Sequence, residues 1–144
     1  MHLVYDSRMR NILKEKGFKI TPARLAILQA FTKNKLPMSA EDVCKKIKSK
    51  KINEVTVYRT LSSLEKGGIL KRVDLRKDSV YFELADQHHH HIVCTNCNMI
   101  EDFKNLEIEK AIEKVWKNII TKSSKFKSIR EHSLELFGLC RMCM

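Results

Sequence analysis

Residues 53–84 read NEVTVYRTLSSLEKGGILKRVDLRKDSVYFEL, and the hydrophobic period changes partway along them. Asn53 is a helix cap and Gly67-Gly68 a helix stop, with Val57, Leu61 and Leu64 forming one buried stripe between them. Beyond the glycines come two strand-like runs separated by Arg76-Lys77-Asp78-Ser79. In the second run Val80, Phe82 and Leu84 alternate with Tyr81 and Glu83, so period two replaces period 3.6. A helix delivered into a basic hairpin is the closing half of a winged helix-turn-helix, in which the helix enters the major groove and the hairpin lies against phosphates.

The upstream sequence supplies the other helices. MRNILKEKG places Met9, Ile12 and Leu13 on one face and ends in Gly17. ITPARLAILQAF opens with Thr21 as cap and Pro22 at the first helical position, and Leu25, Leu28 and Phe31 share a face. SAEDVCKKIKS opens on Ser39 three residues before Asp42, a capping-box pattern, with Ala40, Val43, Cys44 and Ile47 at helical spacing. Cys44 thus reads as a small core residue. The polar face of the fourth helix carries Thr56, Tyr58, Arg59, Ser62 and Ser63. Arg59 suits a phosphate or a guanine edge and Tyr58 a thymine methyl; the alternative is an internally packed Tyr58 and an Arg59 held in a surface salt bridge. Lys71, Arg72, Arg76 and Lys77 are the wing's phosphate partners by charge.

A chain of 144 residues allows one domain or two small ones, and two halves would each need a metal or a dimer partner to be stable. Residues 1–87 carry 19 Lys and Arg against 10 Asp and Glu, whereas residues 88–144 carry 9 against 7. Apart from His2 and Cys44, all histidines and cysteines lie in the second part. The basic half suggests nucleic acid, or else a solvated lysine surface. No apolar run approaches the ~18 residues of a membrane span, and MHLVYDSRMR lacks a signal peptide's apolar stretch. A cytoplasmic protein is expected, and there five cysteines read as metal ligands or free thiols rather than disulfides.

The second part contains QHHHHIVCTNC at residues 87–97. Cys94 and Cys97 form one Cys-x-x-Cys and Cys140 and Cys143 another. Four thiolates make the tetrahedral set that structural zinc takes, with no position left for water or substrate; either pair alone could be a redox couple. Along a strand, His89 and His91 would face one way and His88 and His90 the other, so one run could serve two metal sites. Glu83 lies upstream, and Glu101 and Asp102 downstream. Glu109 is expected to begin a helix with apolar Ile112, Val115, Trp116 and Ile119, and His132 to open the last strand, HSLELFGLC. Mixed nitrogen and oxygen ligands favour iron, manganese or zinc; the bland alternative is a solvated histidine tract. A small zinc enzyme is a distant alternative, because no H-E-x-x-H and no nucleophile beside a base is present.

With KITPARLAIL, SAEDV, TVYRTLSSLEKGGIL, YFEL, HHHHIVCTNC, EDF and HSLELFGLC together, the chain resembles the ferric uptake regulator family of bacterial metal-dependent repressors, over roughly residues 8 to 143. The resemblance implies an α+β protein: a winged helix-turn-helix domain at 1–84, a hinge at 85–87 and an α/β dimerisation domain at 88–144. It implies a homodimer, or a larger assembly, on a palindromic operator in double-stranded DNA. Tyr58 and Arg59, beside Thr56 of the same polar face, would lie on the recognition helix, Lys19 would reach the minor groove and Arg24 the backbone. Cys94, Cys97, Cys140 and Cys143 would hold structural Zn2+. A regulatory site would comprise Glu83, His89, His91 and Asp102, taking Fe2+ with Mn2+ or Zn2+ as substitutes, and a second metal site His88, His90, Glu109 and His132. Pro37 stands where the family usually has a further histidine ligand, and proline has none to offer. Iron-responsive repression is the favoured function. Peroxide sensing, to which an aspartate at position 102 also points, comes next, and control of zinc uptake third.

Overall fold

The computed structural model describes residues 2–144, excepting the side chains of residues 2–6. His2 therefore has no described side chain. Two compact units, Met1–His88 and His89–Met144, divide the chain.

The first unit opens with α1 (His2–Glu15), which begins earlier than its apolar spacing suggests. Gly17 follows with φ +74°, a conformation that β-carbons resist. Helix α2 (Pro22–Lys33) is capped by the Thr21 side chain, which accepts from the Arg24 N–H at 3.3 Å. A two-residue strand β1 (Met38–Ser39), invisible to periodicity, runs directly into α3 (Ala40–Ile47). Ser39 and Asp42 close the capping box in both directions, at 3.2 Å and 2.9 Å. A short 3-10 turn over Lys48–Lys50 leads to α4 (Glu54–Lys66), whose Thr56 N–H donates to Asn53 Oδ1 at 2.8 Å. Gly68, at φ +69°, turns the chain into β2 (Leu70–Val73), and β3 (Tyr81–Leu84) returns antiparallel to it. The sheet order is β1-β3-β2.

Sixteen buried side chains from all four helices and the sheet form one core, with Leu13, Val43, Val57 and Leu64 inaccessible to solvent. Cys44 packs partly buried against it. This arrangement is a winged helix. The simple alternation expected along β3 is corrected: Val80 precedes the strand and is half exposed, while Phe82 and Glu83 are both buried. Glu83 is tolerated there because Lys71, its partner across the ladder, brings Nζ to 2.9 Å from the carboxylate.

The second unit is built on β4 (His90–Cys94), with β5 (Ile100–Phe103) antiparallel on one side and β6 (Glu135–Gly138) parallel on the other. Between β5 and β6 runs α5 (Leu106–Lys122). Two boundaries differ from expectation. The helix starts at Leu106 rather than Glu109, because the Asn105 side chain accepts from both Glu107 N–H and Ile108 N–H. His132 precedes the last strand instead of opening it, since pairing begins at Glu135 opposite His91. No described residue of α5 is buried; Val115 and Ile119 stay more than half exposed.

Candidate functional site

In the first unit, α4 presents its polar face outward. Tyr58 is 58% exposed and lies between an open cleft of about 700 Å³, shared with Phe18, Arg59 and Lys66, and a smaller one of about 300 Å³ toward Arg72, Ser79 and Phe82. Arg59 is exposed and has no ion-pair partner among the described residues, so neither side chain is consumed by the fold. Thr56 is half-buried one turn before Thr60. Gly67, at the C-terminal end of α4, lets the Phe18 ring pack there: a β-carbon would collide with it. The ring in turn carries the Arg24 guanidinium at 5.1 Å, and Arg24 Nη1 donates to the Lys19 carbonyl at 2.6 Å. Lys19 is thereby fixed with its side chain exposed.

The wing is less free than its charge suggests. Lys71 is engaged by Glu83, and Arg72 Nε lies 3.0 Å from Glu65. Lys77 rests 4.8 Å above the Tyr81 ring. The expectation of four wing cations available to phosphate is therefore corrected, because carboxylates already claim two of them.

In the second unit the parallel pairing of β4 with β6 sets Cys94 opposite Gly138, bringing both Cys-x-x-Cys knuckles to one end of the sheet. All four sulfurs lie within 4.8 Å of one another, and Cys97 Sγ stands 3.7 Å from Cys140 Sγ. With Zn–S bonds near 2.3 Å, a tetrahedral edge is about 3.8 Å. None of the four cysteines is in a disulfide. Backbone N–H groups of Cys97 and Cys140 aimed at the Cys94 sulfur lower its thiol to about 6. At Cys143 the Asn96 side chain pulls down, but the Cys140 sulfur, burial and the Cys97 and Cys94 sulfurs together push it up to about 12. Packing four sulfurs this closely leaves one ready to ionise and another resisting, a conflict that a divalent cation resolves. The set fits structural zinc.

The histidines occupy the other end of β4. His89 and His91 rings lie edge to face with centroids 5.0 Å apart. Asp102, paired with His91 across the β4–β5 ladder, points its oxygens at them, 3.6 Å from His91 Nε2 and 4.0 Å from His89 Nε2. These separations exceed a hydrogen bond and approach the about 3.4 Å edge of donors around a shared ion with 2.1 Å arms. On the opposite face Glu109 bridges two imidazoles, Oε1 to His90 Nε2 at 2.5 Å and Oε2 to His132 Nε2 at 3.3 Å. The Trp116 ring packs edge-on against His132 at 5.8 Å. His88, the last residue of the first unit, is exposed, and Glu83 belongs to β3 of that unit. Glu101 points elsewhere along β5 and is exposed.

A model of the Ferric uptake regulator family matches residues 15–137. The ferric uptake regulation protein of Bordetella parapertussis is 38% identical over 135 residues, spanning 91% of this chain and 93% of that protein. The solved ferric uptake regulator of Francisella tularensis with iron has a TM-score of 0.73 at 34% identity, covering 88% of this chain and 95% of that one. The Helicobacter pylori ferric uptake regulator, described as having three functional metal binding sites, gives a TM-score of 0.77 at 26% identity, covering 99% of this chain and 93% of that one. With a winged helix that leaves its recognition face free and sulfur and histidine clusters at the two ends of a second sheet, the chain belongs to the ferric uptake regulator family and is a metal-dependent, DNA-binding transcriptional regulator.

Proposed function

We propose that the chain is an iron-responsive repressor that binds a palindromic operator as a homodimer when metal is held by Glu83, His89, His91 and Asp102. The observation that carries this reading is the convergence of His89, His91 and Asp102 on β4 and β5. These residues lie immediately after the chain leaves the winged helix, and Glu83 precedes His89 by six residues. A divalent ion supplies a cross-link between such donors. Because Glu83 belongs to the first unit and the other three to the second, holding the ion would restrain the DNA-binding unit. Pro37, buried just before β1, offers no ligand, so the restraint depends on Glu83. His88, His90, Glu109 and His132 would form the second site, with Glu109 as its centre. Dimerisation is supported by the apolar residues left uncovered on the second unit, among them Leu106, Val115, Ile119, Ile92 and Leu136. On DNA, Tyr58, Arg59 and Thr56 read the major groove while Lys19 and Arg24 hold the flank. No part of this role is catalytic, and the protein acts from the cytoplasm, where its operator lies.

The test is anaerobic operator binding by zinc-loaded protein titrated with Fe(II), Mn(II) or Zn(II). Metal contributes only its preference for the DNA-competent state, a coupling of about 1–3 kcal/mol or 5–150-fold. The expected result is a gain of that size with Fe(II), lost in Asp102→Ala, and a further loss of about 1–3 kcal/mol in operator discrimination in Arg59→Ala. Equal operator affinity with and without each metal would overturn the proposal.

A further inference from the structure

Residues 45–51 read KKIKSKK, five lysines in seven positions, spanning the end of α3 and the turn that leads to α4. All five lysines are exposed and only Ile47 is buried. Lys45 is held by Glu41 at 2.8 Å. Lys46, Lys48, Lys50 and Lys51 have no carboxylate within ion-pair distance among the described residues. The turn is a defined object, closed by Lys51 N–H donating to the Lys48 carbonyl at 3.3 Å. Lys51 adopts φ +54°, a left-handed conformation that a lysine enters at a cost. Two residues later Asn53 caps α4.

Four unneutralised cations within six residues, at the end of α3 and along the turn, repel one another, and an anionic partner would relieve that repulsion. Their position selects the partner. In a helix-turn-helix the N-terminal residues of the recognition helix meet base edges. The segment just before that helix therefore comes to the phosphate ridge bordering the groove, where binding adds affinity and fixes register without reading sequence. With Arg72 of the wing already facing Glu65, these lysines add cations that the fold does not engage.

We propose that Lys46, Lys48, Lys50 and Lys51 form a second phosphate clamp, gripping the DNA backbone beside the groove that receives α4. This rests on the DNA-binding role proposed above. It assigns to the turn a sequence-independent share of affinity distinct from the share of Tyr58 and Arg59.

The test compares full-length, metal-loaded wild type with Lys46→Gln/Lys48→Gln/Lys50→Gln/Lys51→Gln and with the corresponding fourfold Lys→Arg variant. The probes are an inverted-repeat duplex selected by the wild type from a random library and a mixed-sequence duplex of equal length. Each phosphate neutralised adds about 0.9 to the slope of log affinity against log salt, so two phosphates per protomer of a dimer predict a fall of about 3.6 in the glutamine variant. Both probes should weaken by the same factor, the arginine variant should keep the wild-type slope, and phosphate-ethylation interference should vanish at the groove-flanking phosphates. A glutamine-variant slope that differs from the wild type by less than about 0.9, the share of a single phosphate, overturns the clamp. If the wild type itself fails to prefer the selected duplex, the operator-binding role fails instead, so the two failures are separable. The thermal midpoint of the glutamine variant should not fall, because all four side chains are exposed.

Discussion

Stripping zinc from the cysteine cluster should unfold the second unit and leave the first intact. The two units differ sharply in what holds them. The first buries sixteen core side chains, each large one stabilising by about 1.5–3 kcal/mol. In the second, only Val93 and Cys94 are buried apolar residues among those described, so apolar burial there is worth roughly one such side chain. Structural zinc in small domains contributes about 10–16 kcal/mol at neutral pH, several times what that burial supplies. The perturbation is dialysis against a chelator under reducing conditions, with Cys140→Ser as its genetic counterpart, and zinc content is measured by elemental analysis. Trp116, the chain's only tryptophan, lies on α5 and reports the second unit alone. Its emission should shift to the red and α5 amides should lose protection from hydrogen exchange, while α2 and α4 amides keep theirs. Unchanged Trp116 emission and α5 protection at zero zinc would refute the reasoning, and would mean that the apolar face of α5 holds the unit together through a second copy.

Two smaller tests probe the first unit. Asn53→Ala removes the acceptor of the Thr56 N–H and should cost about 1 kcal/mol, lowering this unit's thermal midpoint by roughly 4–8 °C; an unshifted melt would show that water replaces the cap without loss. Burial, aided by Glu54, raises the Cys44 thiol above its ordinary 9.0. The folded state therefore keeps that proton longer than the unfolded state, and stability falls as pH rises through and beyond the ordinary thiol range. Cys44→Ala should flatten this alkaline loss, and Cys44 in zinc-loaded protein should alkylate more slowly at pH 8 than an unstructured cysteine. Equal rates would remove the argument.

Much of the winged helix is written in short-range chemistry. Thr21, Ser39 and Asn53 cap the helices that their side chains can reach within three residues, and Gly17 and Gly68 mark the turns with positive φ. What escapes a linear reading is pairing at a distance. Strand β1 has two residues and exists because β3 offers Phe82 and Tyr81 as partners. Glu83 breaks the alternation because Lys71, twelve residues earlier, neutralises it. Likewise Glu109 falls inside α5 because Asn105 begins the helix three residues sooner than the apolar spacing indicates. The candidate metal ligands are legible for the opposite reason: histidine and cysteine in these numbers have few other uses, and strand alternation alone separates His89 and His91 from His90. The lysine turn is visible in composition, but only the structure places it against the start of α4.

The parallel pairing of β4 with β6 also governs the order in which the protein folds as it is made. The first unit is complete once 88 residues have emerged, whereas the second must wait for β6 and for Cys140 and Cys143 before its sheet and sulfur cluster can close. Domains fold as units and N-terminal ones first. On the dimeric, metal-responsive role proposed above, a polypeptide interrupted before β6 would carry a folded winged helix without the complete second sheet or its cysteine cluster, and would meet DNA as a single copy. On that reading, translation that stalls late in the message would yield a competitor for the DNA site rather than inert debris.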